Sequence, residues 1–307
     1  MFSFISKRLL QLIPIILGVT FMTFTLLYLA PGDPAQSRLL AQGTVVSDEA
    51  LESTRESMGL NEPFLVQYWN WLKGLLTSDF GTSYHDDQPV MIKLQRAAIP
   101  TIQLTFFSML ITLLISVPLG ILMAIKQNKW IDNFIRLLTF IGTSIPNFMI
   151  SLLLIYVVCL KLKLLPVVTS GTYKGLILPV ITLVIMQSSK FIRQVRAEIL
   201  EQMDKEYVLS ARVRGVKEST LLFKNVLHNS MITIITIFGL SVGTLLAGTA
   251  VIETIFSWPG LGKLVIDSIS YRDYPVIQGF VVIMATVYVL INLFTDICYK
   301  ILDPRVG

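Results

Sequence analysis

Apolar positions gather into long blocks separated by polar stretches. The first block, Leu9 to Ala30, follows Lys7 and Arg8 and suffices to cross a bilayer, which takes about 20 residues. It is longer than the apolar core of a signal peptide, and Pro31 directly behind it is a poor cleavage context. It therefore reads as a retained first span. Five more blocks follow, at about Ile99–Ile125, Phe134–Leu160, Leu176–Phe191, Met231–Ile252 and Val276–Cys298. Pro100 falls in the first turn of the second block, where a missing N–H costs nothing. Pro118 and Pro146 interrupt the second and third. The pattern predicts an all-α polytopic membrane protein with six transmembrane helices.

Between spans one and two lies a large polar loop, from Pro31 to about Ala98. Within it, Phe64 to Leu76 carries Tyr68, Trp69, Trp71 and Leu72. Two readings stand side by side: an amphipathic helix near a lipid headgroup layer, or aromatic packing inside a small loop subdomain. The chain thus divides into residues 1–98, a span plus an external loop, and residues 99–307, a five-span core.

Composition supports the membrane reading. Of 307 residues 53% are apolar and 15% charged, and the mean hydropathy is +0.69, which excludes a disordered or disulfide-stapled secreted chain. Cys159 and Cys298 lie far apart, with no metal-binding spacing. The net charge of +5 forms no basic patch for nucleic acid. An N-terminus in the cytoplasm puts 15 of the 25 basic residues inside, and only 8 of the 20 acidic ones, as the positive-inside rule requires. Lys161, Lys163 and Lys174 run against it in a short external loop. With six spans both termini are cytoplasmic, and the chain is a multi-pass protein of the cell membrane.

Enzyme signatures are few. There is no phosphate-binding glycine loop and no H-E-x-x-H. The two histidines, His85 and His228, fall on opposite sides of the membrane and cannot share a metal. Gly239-Leu240-Ser241-Val242-Gly243 matches G-x-S-x-G, but that motif works at a strand-to-helix turn. Inside an apolar helix the same residues, with Ala247, form a small-residue stripe for close packing.

The informative stretch is Glu206-Tyr207-Val208-Leu209-Ser210-Ala211-Arg212-Val213-Arg214-Gly215-Val216-Lys217, between spans four and five. Tyr207, Ala211 and Gly215 are four apart and share one helical face. Ala and Gly there offer a smooth strip for a partner's groove, flanked by Arg212 and Arg214. Gly215 is placed to end one short helix, and Lys217 to His228 to form a second. An ordinary amphipathic connector on the membrane surface has the same spacing.

This stretch resembles the cytoplasmic "EAA" loop (here about residues 191–230) of binding-protein-dependent ABC importer permeases, in the dipeptide/oligopeptide/nickel branch. The similarity runs nearly end to end. It takes in Phe4-Ile5-x-Lys7-Arg8-Leu9, Pro31-Gly32-Asp33-Pro34, Leu60-Asn61-Glu62-Pro63 and Asp79-Phe80-Gly81-Thr82-Ser83. It continues through Ser144-Ile145-Pro146-x-Phe148, Glu253-x-x-Phe256-Ser257-Trp258-Pro259-Gly260-Leu261-Gly262, Arg272-Asp273-Tyr274-Pro275 and Leu302-Asp303-Pro304-Arg305. The family often carries a proline soon after the second EAA helix; Asn229-Ser230-Met231-Ile232-Thr233 has none.

The resemblance implies a type I ABC importer permease fold and a transport subunit, not an enzyme. Its solute would be a di- or oligopeptide, nickel or a metal chelate. Its partners would be a second similar permease, two cytoplasmic ATPase subunits and an extracytoplasmic solute-binding protein. No cofactor would be bound here, since ATP would sit on the ATPases. Tyr207, Ala211, Arg212 and Gly215 would couple to them. Candidates for a polar pathway are Ser144, Pro146, Asn147, Gln187, Ser188, Ser241 and Thr244; helix–helix hydrogen bonding is the plainer role for each. Glu253 and Trp258 mark an external re-entrant turn that would gate the outer mouth or merely shape it. Lys190, Arg193 and Arg196 read as headgroup anchors or partners of the coupling helix. The rival functions are an ion-gradient-driven carrier acting without an ATPase, and an intramembrane hydrolase using Ser241.

Overall fold

A computed structural model describes residues 2–166 and 172–302; Asp303-Pro304-Arg305, part of the resemblance, lies outside them. Among the described residues fourteen α-helices follow in order: α1 Phe2–Leu29, α2 Pro34–Ala41, α3 Asp48–Ser57, α4 Phe64–Leu76, α5 Val90–Ile125, α6 Trp130–Ser144, α7 Asn147–Leu154, α8 Tyr173–Met203, α9 Glu206–Val213, α10 Glu218–Thr220, α11 Leu227–Gly248, α12 Ala250–Ile255, α13 Leu261–Tyr271 and α14 Tyr274–Leu302. π-Helical stretches extend α7 through Ile155–Lys161 and join α10 to α11 through Leu221–Val226. No β-strand occurs among the described residues.

Among the described residues, five helical runs are long and apolar enough to cross a membrane: α1, α5, α8, the run from Glu218 to Leu246, and α14. The sixth span is a bent pair. Helices α6 and α7 meet at 99°, whereas the sequence pattern predicts one continuous third span. The cause is local. Pro146 disfavours the helical conformation at the residue before it, and Ile145 is extended, at φ −89° and ψ 128°. Proline alone does not break a helix here, because α5 runs unbroken through Pro100 and Pro118. Since α5 starts at Val90, Pro100 lies ten residues inside it, not in its first turn. The fifth span also departs from expectation. It ends at Gly248, and Glu253 belongs to the separate helix α12.

The described chain forms two compact units. The first takes residues 2–101, 249–254 and 259–290; the second takes the remainder. In the first, Val90, Leu94 and Ala97 of α5 form a buried core with Leu261 and Val276, and Phe80, Phe280 and Met284 pack against it. Gly279 is required there, because a Cβ would meet Leu94, Val90 and Phe80. Motifs distant in sequence meet in this unit. Asp273 accepts hydrogen bonds from the Ser83 hydroxyl (2.5 Å) and the Tyr84 N–H (2.8 Å). Lys93 holds Asp86 at 2.9 Å and donates to Ser83 at 3.0 Å. Burial, and then the Asp273 charge, push the Tyr84 hydroxyl up to about 12. Gly32, at φ +103°, leaves room for the Arg272 guanidinium, which a Cβ would strike. The Pro31–Pro34, Asp79–Ser83 and Arg272–Pro275 motifs are thus one clasp.

In the second unit α8 packs on α6, α7 and α11. Glycines set the closest approaches: a Cβ on Gly142 would collide with the Ser189 hydroxyl, and one on Gly239 with Thr295. Gly239 is therefore a packing residue, as the small-residue stripe predicts.

Candidate functional site: the cytoplasmic end of α8 and helix α9

Helix α9 is amphipathic over two turns. Val208 and Ala211 point inward, the latter 2% exposed, while Leu209 and Val213 are 63% and 81% exposed. This corrects one expectation. Ala211 is not a strip offered to a partner, because it packs against its own chain. The free face carries Leu209, Arg212 and Val213 instead. Gly215 ends the helix as predicted: it takes φ +78°, its N–H bonds to the Arg212 carbonyl, and the Val216 N–H returns to the Ala211 carbonyl. The left-handed residue and the returning bond are those of a helix C-terminal cap. The second helix of the turn does not end near His228. From Glu218 it continues without interruption into span five, in keeping with the missing proline at 229–233.

Arg212 closes the turn. Its Nε and Nη2 donate to Glu218 at 2.7 and 3.2 Å. The hydrogen bond from Arg212 is the main reason that the Glu218 carboxyl sits below its ordinary value, and the bond to Glu218 raises the guanidinium. Tyr207 points the other way, its hydroxyl donating to Gln202 Oε1 at 3.2 Å. Gln202 in turn donates to the buried Glu198 carboxylate at 2.9 Å. Two residues further into α8, Arg196 donates from Nε and Nη2 to the two carboxylate oxygens of Asp132, both at 2.8 Å. Asp132 is fully buried and also receives Arg136 and the Asn128 N–H. Helix α8 therefore holds α9 through Gln202 and Tyr207 and holds the first turn of α6 through Arg196 and Asp132, two separate side-chain groups joined only by the α8 backbone. Arg196 is a helix clamp, not a headgroup anchor. Arg193 donates to the Thr143 hydroxyl at 3.2 Å, just before the α6–α7 bend.

The pathway candidates separate into groups. Ser144, Pro146 and Asn147 lie at the bend, where the Ser144 hydroxyl returns to the Phe140 carbonyl and Asn147 opens α7. Gln187 and Ser188 are buried on α8, on the turn whose Ser189 meets Gly142. Ser241 and Thr244 lie on α11, Thr244 bonding to the Ser241 carbonyl. A serine nucleophile has no support there, since Ser241 sits in mid-helix and His228, 13 positions away on the same helix, is about 20 Å off.

Glu253 lies in the first unit and is 0% exposed. It accepts the Thr101 hydroxyl at 2.7 Å and the Lys263 N–H at 3.0 Å, and Thr101 accepts the Leu261 N–H at 2.8 Å. Gly260 has no room for a Cβ beside this carboxylate. Glu253 thus sits buried where Thr101 and the start of α13 meet. Trp258 is 4% exposed.

Sequence reading missed Asp132, Gln202 and Glu198. The signal for Asp132 was an acid in an otherwise basic segment, between Lys129 and Arg136. It also missed a hydroxyl face on α5. Thr105, Ser108, Thr112 and Ser116 are buried and find no hydrogen-bond partner among the described residues. Their spacing of three and four was legible in the sequence.

Solved structures share this arrangement of membrane-crossing helices with a short capped helix between two spans. An inward-facing structure of the MetNI methionine ABC transporter matches 69% of this chain and 97% of its own, with a TM-score of 0.59 at 19% identity. An amino acid ABC transporter structure matches 70% and 95%, with a TM-score of 0.54 at 20% identity. At these identities the likeness is one of fold. Family models go further: residues 116–307 match the binding-protein-dependent transport system inner membrane component, and residues 1–105 its N-terminal component. The chain belongs to this family and is a multi-pass permease subunit of an ABC importer. It is 40% identical to the metal-staphylopine import permease CntB of Staphylococcus aureus, over 99% of this chain and 98% of that one. It is 36% identical to the dipeptide permease DppB of Alkalihalophilus pseudofirmus, over 100% and 99%. With the glutathione permease GsiC of Salmonella typhimurium it shares 37%, over 100% and 99%. These relatives are transport permeases rather than enzymes, and the family gives no support to an ion-driven carrier acting alone.

Proposed function

We propose that this permease pairs with a second, similar one, stands on two cytoplasmic ATPase subunits and receives its solute from an extracytoplasmic binding protein. The solute is a short peptide or a metal chelate, in line with the dipeptide, glutathione and metal-staphylopine systems named for its relatives. Coupling runs through the exposed face of α9, with Arg212 and Gly215 holding its shape and Tyr207 joining it to α8. The observation that carries this reading is that one helix, α8, is bonded to α9 through Gln202–Tyr207 and to α6 through Arg196–Asp132. A push on α9 is thereby delivered to α8 and α6 together, as rocking of a helix bundle requires. Pathway roles for Ser144, Asn147, Gln187 and Thr244 belong to the same proposal. ATP hydrolysis takes place on the partner subunits.

The test is uptake in a strain deleted for this gene and complemented with it. Labelled dipeptide, glutathione and a nickel chelate are compared. Restored uptake of one of these solutes supports the reading; restored uptake of bare nickel alone contradicts it.

A further inference from the structure

Helix α4 presents three faces. Phe64 and Tyr68 pack on α1: the Phe64 ring lies 5.8, 5.5 and 5.1 Å from those of Phe21, Phe24 and Tyr28. The Tyr68 ring lies 5.3 and 5.5 Å from Phe21 and Phe24. Gln67, Asn70 and Gly74 line a polar cavity of about 650 Å³ in the same unit. The third face carries Leu65, Trp69, Leu72 and Leu76, the i, i+4, i+7, i+11 spacing of a helical stripe. Leu65, Trp69 and Leu76 are 66%, 53% and 78% exposed.

Where α4 sits on α1 decides what that stripe meets. Its aromatic-ring and hydroxyl contacts with α1 fall between Leu17 and Tyr28, inside the apolar run Leu10–Leu29. The Tyr68 hydroxyl lies 3.1 Å from that of Thr20 and 3.4 Å from the Leu17 carbonyl oxygen. Thr20 is nine residues from Leu29, about 13 Å along the helix axis. A helix held at that depth beside a spanning segment stands in hydrocarbon. Its polar face is turned to the cavity, and its aromatic hydroxyl is satisfied by α1, as the bilayer demands of polar groups. Lys73 borders the stripe with its ammonium 5.5 Å over the Trp69 ring.

We infer that α4 is a membrane-inserted helix whose Leu65–Trp69–Leu72–Leu76 face binds the acyl chains of the leaflet away from Arg8. The inference rests on the spanning of α1 and not on the coupling role of α9.

The test uses the assembled transporter in lipid nanodiscs, with Cys159 and Cys298 replaced by alanine. A spin label is placed at Leu65, Trp69 or Leu76, with the exposed loop residue Asn61 as control. Collision rates with oxygen, which partitions into lipid, are compared with those of a water-soluble nickel chelate. The expected result is at least a five-fold higher oxygen-to-nickel ratio at the three stripe positions than at Asn61. Ratios equal to that at Asn61 place the stripe in water and overturn the inference. Immobilised labels that meet neither reagent mean a protein partner covers it, which also overturns it. Should labelling disturb assembly, the native tryptophans are quenched with brominated phospholipid instead. Trp69→Phe must then remove a lipid-quenched component, and no change in quenching overturns the inference.

Discussion

Arg196 of α8 grips both carboxylate oxygens of Asp132 in α6 at 2.8 Å, and Asp132 has no exposure to solvent. Two helices on either side of a chain connection are thereby locked near their cytoplasmic ends. Removing one partner of a buried pair leaves an uncompensated charge and costs about 3–5 kcal/mol. Asp132→Asn, which leaves two arginines facing an amide, is expected to lower the melting temperature of the detergent-purified complex clearly. Asp132→Asn combined with Arg196→Met restores part of the loss. An unchanged melting temperature in the single variant would show that the clamp bears no load.

Gly215 has φ +78° and open space where a Cβ would stand, so a Cβ there meets no clash and only backbone strain. Gly215→Ala should destabilise the α9–α10 turn by about 1–2 kcal/mol, the cost of a left-handed non-glycine residue. Gly215→Asn should cost less. Uptake is expected to fall in the same order, with membrane insertion intact on immunoblots.

The two sides of α9 predict different failures. Leu209→Glu and Val213→Glu alter the exposed face and should abolish co-purification of the ATPase while leaving the melting temperature of the permease unchanged. Ala211→Leu overpacks the buried face at a cost of about 1–3 kcal/mol and should lower the melting temperature. Co-purification and thermal melting of the three variants check both halves.

On the opposite side, Asp86 is partly desolvated, which raises its pKa, but hydrogen bonds from the Lys93 ammonium and the Gln88 N–H outweigh this and hold the carboxyl below its ordinary value. A group with a depressed folded pKa stabilises the fold above its unfolded value, about 3.9. That contribution is lost as pH falls through the lower folded value. Hydrogen exchange across residues 77–98 should be flat from pH 7 to 5, after correction for intrinsic rates, and accelerate below about pH 4. Asp86→Asn should remove that step.

Sequence reading located the spans because a run of some 20 apolar residues has few other uses. It missed the 99° bend because Pro100, Pro118 and Pro146 look alike in one dimension, and only at Pro146 does the preceding residue leave the helical region. The left-handed cap at Gly215 was legible, since glycine alone accepts that conformation cheaply. The direction in which Ala211 points was not: spacing of four says that residues share a face, not which face is buried. Likewise the sequence marked Glu253 as part of an external re-entrant turn, but not its burial or its bond to Thr101, which comes from 152 residues away.

The central claim, that force enters through the exposed face of α9, meets its most direct test in ATP-driven uptake by proteoliposomes. These contain the complete transporter with either the native chain or the Leu209→Glu, Val213→Glu double variant. The account predicts solute accumulation with the native chain only when ATP is enclosed with the ATPases, and at least a ten-fold loss with the double variant. Undiminished uptake by that variant would contradict it.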